Sequence, residues 1–393
     1  MLSIDAARTH MRRNRIDAWV LWDFRGSNHV FWHVLGERRH TTRRAVLFIF
    51  RDAEPVLLTS AVDAVAFRHV AYRKVLYRGW QELHSQVRAL LGACKRLALE
   101  YSARGDLPTT GWVDAGTIEL LRDWGYEIVS SADLFQVSAL AWDEEALASH
   151  RRACPLVAGI KDAAFTQVSE AVAAGRGVTE WDIQNFIMAE FERLGLETEN
   201  RPVVAVNGNS GDPHYEPTAD LHAPIRMGDW LLIDLWARFP GERHVFSDIT
   251  WVAYVGAIVP QPMREVFEVV RGARDAAIGR LSQAWAAGEV LEGWQVDQVA
   301  RDHIAAAGYA EQILHRTGHS MGPGDRVHAL GVNIDNFETK DTRLILPRLG
   351  FSIEPGIYLP EFGVRLEVNV FMDPSAGPTV TTPLQNDIVL LAS

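Results

Sequence analysis

Acidic side chains stand in this sequence where it otherwise reads as apolar strand. The run Trp230-Leu231-Leu232-Ile233 ends in Asp234, and Asp248 is embedded in Val245-Phe246-Ser247-Asp248-Ile249-Thr250-Trp251. Glu354 closes Gly350-Phe351-Ser352-Ile353 just before Pro355-Gly356. In Val364-Arg365-Leu366-Glu367-Val368-Asn369-Val370, strand alternation places Arg365, Glu367 and Asn369 on one face and only apolar residues on the other. One such acid is best read as a salt bridge or a strand-end surface group, since strand edges tolerate it. Four of them change the reading. A buried carboxylate is costly unless it is paired or bound to a cation, and four together repel one another. Two divalent ions would offset all four charges.

Histidines supply the other donors. His319 lies in His315-Arg316-Thr317-Gly318-His319-Ser320-Met321-Gly322, where Gly318 and Gly322 allow close approach of backbone to a site. Taken alone, His319 is as readily a hydrogen-bonded core imidazole as a ligand. His328 follows it. Upstream, the turn-rich segment Asn207-Gly208-Asn209-Ser210-Gly211-Asp212-Pro213-His214-Tyr215 carries His214 near its end. A loop histidine is usually solvated, so His214 gains weight only from its company.

The elements that must position these groups fall in the second part of the chain. A boundary near Ser138–Asp143 separates residues 1–140, which alternate strand and helix, from 141–393. In the first part, Ile16–Trp22, Ala45–Ile49 and Arg96–Glu100 read as strands, and Trp80–Leu91 and Thr117–Trp124 as helices, an α/β pattern. No motif there carries chemistry. In the second part a long helical stretch reaches Ala174, interrupted at Pro155. Thr179 opens the next helix with a capping box to Asp182 and a staple between Val178 and Ile183. Further helices fit Met263–Trp285 and Trp294–Ala307. Strands fit Val203–Val206, Trp230–Asp234, Val245–Val255, Phe351–Glu354 and Val364–Phe371, an α+β pattern.

Composition narrows the class. Of 393 residues, 48% are hydrophobic and 23% charged, as expected of a globular chain with a large core. The net charge of −11 and the lack of a dense Lys/Arg run argue against nucleic acid as a partner. Two cysteines, Cys94 and Cys154, make neither a disulfide scaffold nor a thiolate zinc site. No apolar run is long enough to span a membrane. The opening Met1-Leu2-Ser3-Ile4-Asp5 lacks the apolar core of a signal peptide, so a cytoplasmic location is expected.

The order of motifs resembles a known family, the pita-bread metallopeptidases, which include methionine aminopeptidase, aminopeptidase P and prolidase. The matching pieces are Pro213-His214-Tyr215, Ile233-Asp234, Ser247-Asp248-Ile249-Thr250, Thr317-Gly318-His319, Glu354-Pro355-Gly356-Ile357-Tyr358 and Arg365-Leu366-Glu367. Each is weak alone; their joint occurrence in this order is specific. The resemblance implies an α/β N-terminal domain (1–140) and an α+β pita-bread catalytic domain (141–393). It also implies a homodimer and two divalent metal ions. Asp234 would chelate one ion, His319 and Glu354 the other, and Asp248 and Glu367 would bridge both. The oxygen-rich set suits manganese first, with cobalt or zinc as alternatives.

The activity so implied is hydrolysis of short peptides, Xaa-Pro dipeptides foremost, by a metal-bridging hydroxide. Glu354 would accept and pass on the proton of the water. His214 and His328 would hydrogen-bond the substrate and the developing oxyanion. Arg365 would either hold a substrate carboxylate or orient a metal-bound acid. Two alternatives stand beside this reading: a Xaa-Pro aminopeptidase acting on longer peptides, and a hydrolase of another small amide on the same fold. Several positions depart from the family pattern. The spacing of Asp234 and Asp248 is longer than usual, around Phe239-Pro240-Gly241, and Pro323-Gly324 lengthens the stretch from His319 to His328. Trp251 stands where the peptidases commonly carry Arg, and Leu235-Trp236 replaces a Gly-containing pair. The two tryptophans are either core or the walls of an unusual substrate pocket.

Overall fold

A computed structural model of the chain describes residues 2–391. Met1, Ala392 and Ser393, which the expected domain limits and the N-terminal reading include, lie outside the described residues. The chain divides into two compact units, one running to Leu140 and the other beginning at Ala141.

The first unit is built on six strands: β1 (Ala18–Phe24), β2 (Arg44–Phe50), β3 (Val56–Ser60), β4 (Arg73–Tyr77), β5 (Arg96–Leu99) and β6 (Glu127–Ser130). They form one mixed sheet in the order β4-β3-β2-β1-β5-β6. Leu83, Val87 and Leu91 of the helix Trp80–Leu91, and Ile118 and Leu121 of the helix Ala115–Asp123, cover Val20, Trp22, Val46 and Phe48 of the sheet. Asp114 starts the second of these helices by accepting a hydrogen bond from Thr117 N at 2.9 Å.

The second unit holds two four-stranded sheets and a hairpin. Its strands are β7 (Val203–Val206), β8 (Trp230–Ala237), β9 (Ser247–Val255), β10 (Ser320–Met321), β11 (Gly350–Ile353), β12 (Gly356–Tyr358), β13 (Gly363–Arg365), β14 (Val368–Asp373), β15 (Gly377–Val380) and β16 (Val389–Leu391). One sheet runs β16-β9-β8-β7, the other β10-β11-β14-β15, and β12 pairs with β13. The helices Glu144–Ala173 and Glu180–Arg193 pack Phe165, Ile183 and Ile187 against Leu231, Ile233 and Leu235 of β8. The helices Gln261–Ala287 and Gly293–Ala306 pack Phe267, Val270 and Val296 against Phe351, Ile353 and Val370.

Local expectations hold in part. The capping box exists: Asp182 N donates to Thr179 Oγ1 at 3.1 Å, and Thr179 N donates to Asp182 Oδ2 at 2.9 Å. Pro155, however, does not interrupt its helix, which runs unbroken from Glu144 to Ala173. Pro155 and Arg151 both lie on the solvent face, so water can serve the carbonyl that the missing N–H leaves free. Nor does β8 end at Asp234; it continues to Ala237 and leaves the acid mid-strand. The expected strand Val364–Phe371 is two strands, β13 and β14, belonging to different sheets.

Candidate active site

Alternation along β8 and β9 aims the first two acids. On β8, Leu231, Ile233 and Leu235 face the helices, while Trp230, Leu232, Asp234 and Trp236 point the other way. The strands pair antiparallel, with Asp234 opposite Thr250 and Trp236 opposite Asp248. Glu367 sits in the two-residue break between β13 and β14, and its backbone N donates to Thr250 O at 3.2 Å. Asn369 fixes the meeting of the two sheets. Its Oδ1 accepts from Asp248 N at 2.9 Å, and its Nδ2 donates to Asp248 O at 2.7 Å. Asp248 and Glu367, far apart in sequence, are thereby held side by side.

The segment carrying His319 is clipped along β11. Ser352 N donates to His319 O at 2.9 Å, and Glu354 N donates to Thr317 O at 2.7 Å. His319 N donates to Ser352 Oγ at 2.8 Å, and Thr317 N donates to Asp297 Oδ1 at 2.9 Å. Gly318 is required here: a Cβ at this position would stand 2.1 Å from Ser352 O.

Five side chains meet as a result. His319 Nε2 lies 3.3 Å from Asp248 Oδ2, 3.5 Å from Glu354 Oε1 and 3.9 Å from Glu367 Oε1. One ligand atom each from Asp248, His319 and Glu367 lie within 4.8 Å of one another. Burial, reinforced by Asp234 and Glu354, holds the Asp248 carboxyl well above the usual carboxylate range. Burial and then Asp248, Glu354 and Asp234 do the same to Glu367. For Glu354, burial, opposed by Arg365 and reinforced by Asp234, raises the carboxyl to about 7. Burial, with His328 and Arg316 adding, holds the His319 imidazolium well below its ordinary value. A neutral imidazole is the form that binds metals.

These groups fit divalent cations. Asp234 Oδ1, Asp248 Oδ1 and Glu367 Oε1 are buried without any hydrogen-bond partner. A buried unpaired carboxylate oxygen loses its water with nothing in return. A like-charged pair at about 4 Å costs on the order of 4 kcal/mol even at an effective dielectric of about 20. Among the described residues, Arg365 is the one Lys or Arg bonded to these carboxylates, with Nη2 2.6 Å from Asp234 Oδ2. One guanidinium cannot balance four carboxylates.

Arg365 is fully engaged. Besides Asp234, it donates through Nη1 to Tyr358 OH at 2.8 Å and through Nε to Thr250 Oγ1 at 3.2 Å. Of the two roles expected for it, the geometry matches orientation of an acid. The cleft above the cluster has a volume of about 520 Å³ and is lined by His214, Trp236, Arg326 and His328 as well as by the acids. Its size is in the range of small-ligand sites. His214 is exposed on its wall. Its loop is held by the buried Glu180, which accepts from Tyr215 OH at 2.6 Å and from Asn209 Nδ2 at 2.9 Å. The ring of His328 lies 4.0 Å from that of His319, centroid to centroid. The lengthened 323–328 segment therefore still delivers its histidine to the cleft. The tryptophans part company: Trp236 lines the cleft, whereas Trp251 packs among the helices under Lys161, whose Nζ lies 3.5 Å from its ring centroid.

Sequence reasoning passed over several supporting groups. Thr250 Oγ1 donates to Glu367 Oε2 at 3.0 Å, and Ser352 Oγ donates to Glu354 Oε1 at 2.9 Å. Each lies two residues from Asp248 or Glu354, so strand alternation marks both. Asp297 and Glu180 lie in helices, and no local pattern announces them.

The sequence profile of metallopeptidase family M24 matches residues 148–374. Over 208 residues the chain is 35% identical to a Xaa-Pro dipeptidase of Lactobacillus helveticus, covering 52% of this chain and 49% of that one. The chain spans about half the length of the curated relatives it matches. In structure it is similar to a prolidase from Thermococcus sibiricus, at a TM-score of 0.62 and 22% identity over 99% of this chain and 98% of that one. It is also similar to an X-prolyl aminopeptidase from Caenorhabditis elegans, described as a cytosolic enzyme with a di-nuclear active site. There the TM-score is 0.65 and the identity 16%, over 98% of this chain and 62% of that one. At such identities these likenesses establish the fold, an α/β unit followed by a pita-bread unit.

Proposed function

Because the chain belongs to metallopeptidase family M24, we propose that it hydrolyses Xaa-Pro dipeptides with two divalent metal ions held by Asp234, Asp248, His319, Glu354 and Glu367. The observation that carries this reading is the set of three buried, unpartnered carboxylate oxygens on Asp234, Asp248 and Glu367, facing one neutral imidazole. In this reading the four carboxylates and the His319 imidazole would together hold the two ions. Four carboxylates and one imidazole favour manganese, with cobalt or zinc as substitutes. Ions bound there would polarise the scissile carbonyl and ease the deprotonation of water.

The chain's own residues do the rest. Arg365 keeps Asp234 turned toward the cluster, leaving Oδ1 as its free donor atom. Ser352 Oγ holds Glu354 Oε1, and the carboxylate of Glu354 takes the proton of the attacking water and passes it to the leaving amine. His214 and His328, on the cleft wall, donate hydrogen bonds to the substrate and to the oxyanion as it forms. The substrate reading draws support from the Xaa-Pro dipeptidase relative. A homodimer and a cytoplasmic location belong to the same proposal. No described helix is long and apolar enough to cross a membrane.

The deciding experiment measures metal content and then compares a Xaa-Pro dipeptide with the corresponding Xaa-Pro tripeptide on manganese-loaded protein. Cleavage of the dipeptide in preference to the tripeptide is expected. Preference for the tripeptide would make the chain an aminopeptidase, and cleavage of neither by metal-loaded protein would sink both readings. Light scattering tests the dimer.

A further inference from the structure

Trp236 stands beside the acids because of the geometry of its strand. On β8 it lies two residues beyond Asp234 on the same face, and across the ladder it is the partner of Asp248. Directly opposed residues of an antiparallel pair hold their Cβ atoms about 5 Å apart. The indole is therefore the immediate neighbour of a carboxylate of the metal cluster. On the other side, β7 begins at Val203, which pairs with Asp234, so β7 does not reach Trp236.

Packing fixes the rest of the side chain. Trp236 lies against a core cluster that includes Val245, Phe246, Met321 and Val327. Its Nε1 is buried with no hydrogen-bond partner among the described residues. A buried indole N–H usually finds an acceptor, and one without an acceptor costs free energy. A phenylalanine would add apolar contact there without that cost, so the core alone gives no reason for an indole. The remainder of the half-buried ring lines the cleft, as do Val203 and Val327. Val203, the cross-strand partner of Asp234, is the diagonal neighbour of Trp236 on the same face.

Distances give the site a direction. His319 Nε2 lies 3.3 Å from Asp248 Oδ2 and 3.5 Å from Glu354 Oε1. The row thus runs Trp236, Asp248, His319, Glu354, with the indole and Glu354 at its two ends. Glu354 passes the proton to the leaving proline nitrogen, which puts the proline at its end. The residue before the scissile bond then extends toward Trp236. We propose that Trp236 closes the space for that residue's side chain and limits the substrates to peptides that begin with glycine or alanine. The inference rests on the dipeptidase reading for the direction in which the peptide lies. A larger side chain would have to displace an indole wedged against a close-packed core. Leu235-Trp236 is also where the chain departs from the Gly-containing pair of its family, so the restriction belongs to this chain.

The test compares alanyl-proline with phenylalanyl-proline on the full-length, manganese-loaded protein. Wild type is expected to favour alanyl-proline in kcat/KM by at least about tenfold, the lower range for one surplus methylene in an apolar pocket. Trp236→Ala should reduce that preference about tenfold or more, and Trp236→Phe should reduce it less. Both substrates are measured on the same sample, so any loss of folded or metal-loaded protein cancels from the ratio. Equal cleavage of the two dipeptides by wild type, or a ratio that Trp236→Ala leaves unchanged, would overturn the proposal and leave the dipeptidase reading standing. The tripeptides alanyl-prolyl-alanine and phenylalanyl-prolyl-alanine are assayed in parallel. Size discrimination that Trp236→Ala relieves, found on the tripeptides alone, would uphold Trp236 and refute the dipeptidase reading.

Discussion

Asp248 illustrates the conflict built into single residues of this site. Its side chain is buried, one oxygen lacks a partner, and the nearest groups include further carboxylates. Cations remove the conflict, so its effect on stability should change sign with metal. Asp248→Asn is expected to raise the melting temperature of chelator-treated protein, by roughly 2–4 °C for each kcal/mol of repulsion relieved. The same variant should lower metal content and abolish peptidase activity. Calorimetry with and without manganese checks both halves; a lower melting temperature in the metal-free state would contradict the repulsion argument. Asp297 makes a second case. It is buried, and burial raises its carboxyl to about 6 from an ordinary 3.8 against the pull of Thr317 and Asn336. The folded state therefore holds the proton more tightly than the unfolded chain. Its contribution to stability is greatest below pH 4 and is lost as pH rises to about 6. The stability difference between wild type and Asp297→Asn should drift against wild type across that window and be flat above it. Denaturant titrations at stepped pH measure the drift, and a constant difference would show that Asp297 does not titrate there.

At the scale of elements, the site depends on a strand-like clip between residues 317–321 and β11. The clip closes only because Gly318 has no side chain where Ser352 O approaches. Gly318→Ala should push the two segments apart and displace His319 from the acids. The expected outcome is a folded protein with at least about tenfold weaker metal binding, the lower range seen when groups that orient ligands are disturbed. Metal titration followed by a resolved spectroscopic signal gives the affinity. Unaltered affinity would mean the clip is looser than its hydrogen bonds indicate. The sheets themselves were largely legible beforehand. Apolar runs located β8, β9 and β11, and alternation located β14, because each buries apolar side chains in the cores under the helices. The breakdown came at Leu366–Glu367, where the chain leaves one sheet for another. Local alternation continues across that point, so nothing local reveals the switch. Pro155 misled for a related reason: the rule against helical proline assumes that the freed carbonyl is buried, and here it faces solvent.

At the scale of the whole molecule, the acidic centre is an electrostatic load on the second unit of a chain whose net charge is −11. Metal bound only by the folded state stabilises it by about 2.7 kcal/mol when free ion exceeds the dissociation constant a hundredfold. For a unit of this size that is roughly 5–10 °C in melting temperature. Chelation should lower the transition of the second unit by about this amount, and manganese should restore both the transition and the activity. An activity that survives exhaustive chelation, with an unmoved transition, would remove the metal from the account.

The sequence alone determined which residue types could meet and in what order, because a carboxylate inside an apolar strand advertises its cost wherever the strand lies. It also determined helix starts such as Thr179–Asp182, whose hydrogen bonds are local. Only the tertiary structure decided that Asn369 joins β14 to β9, that Trp236 faces the cleft while Trp251 does not, and that Arg365 is engaged by Asp234. Those facts depend on which strands of different sheets come together, and period-two alternation fixes the face of a residue without naming its neighbour.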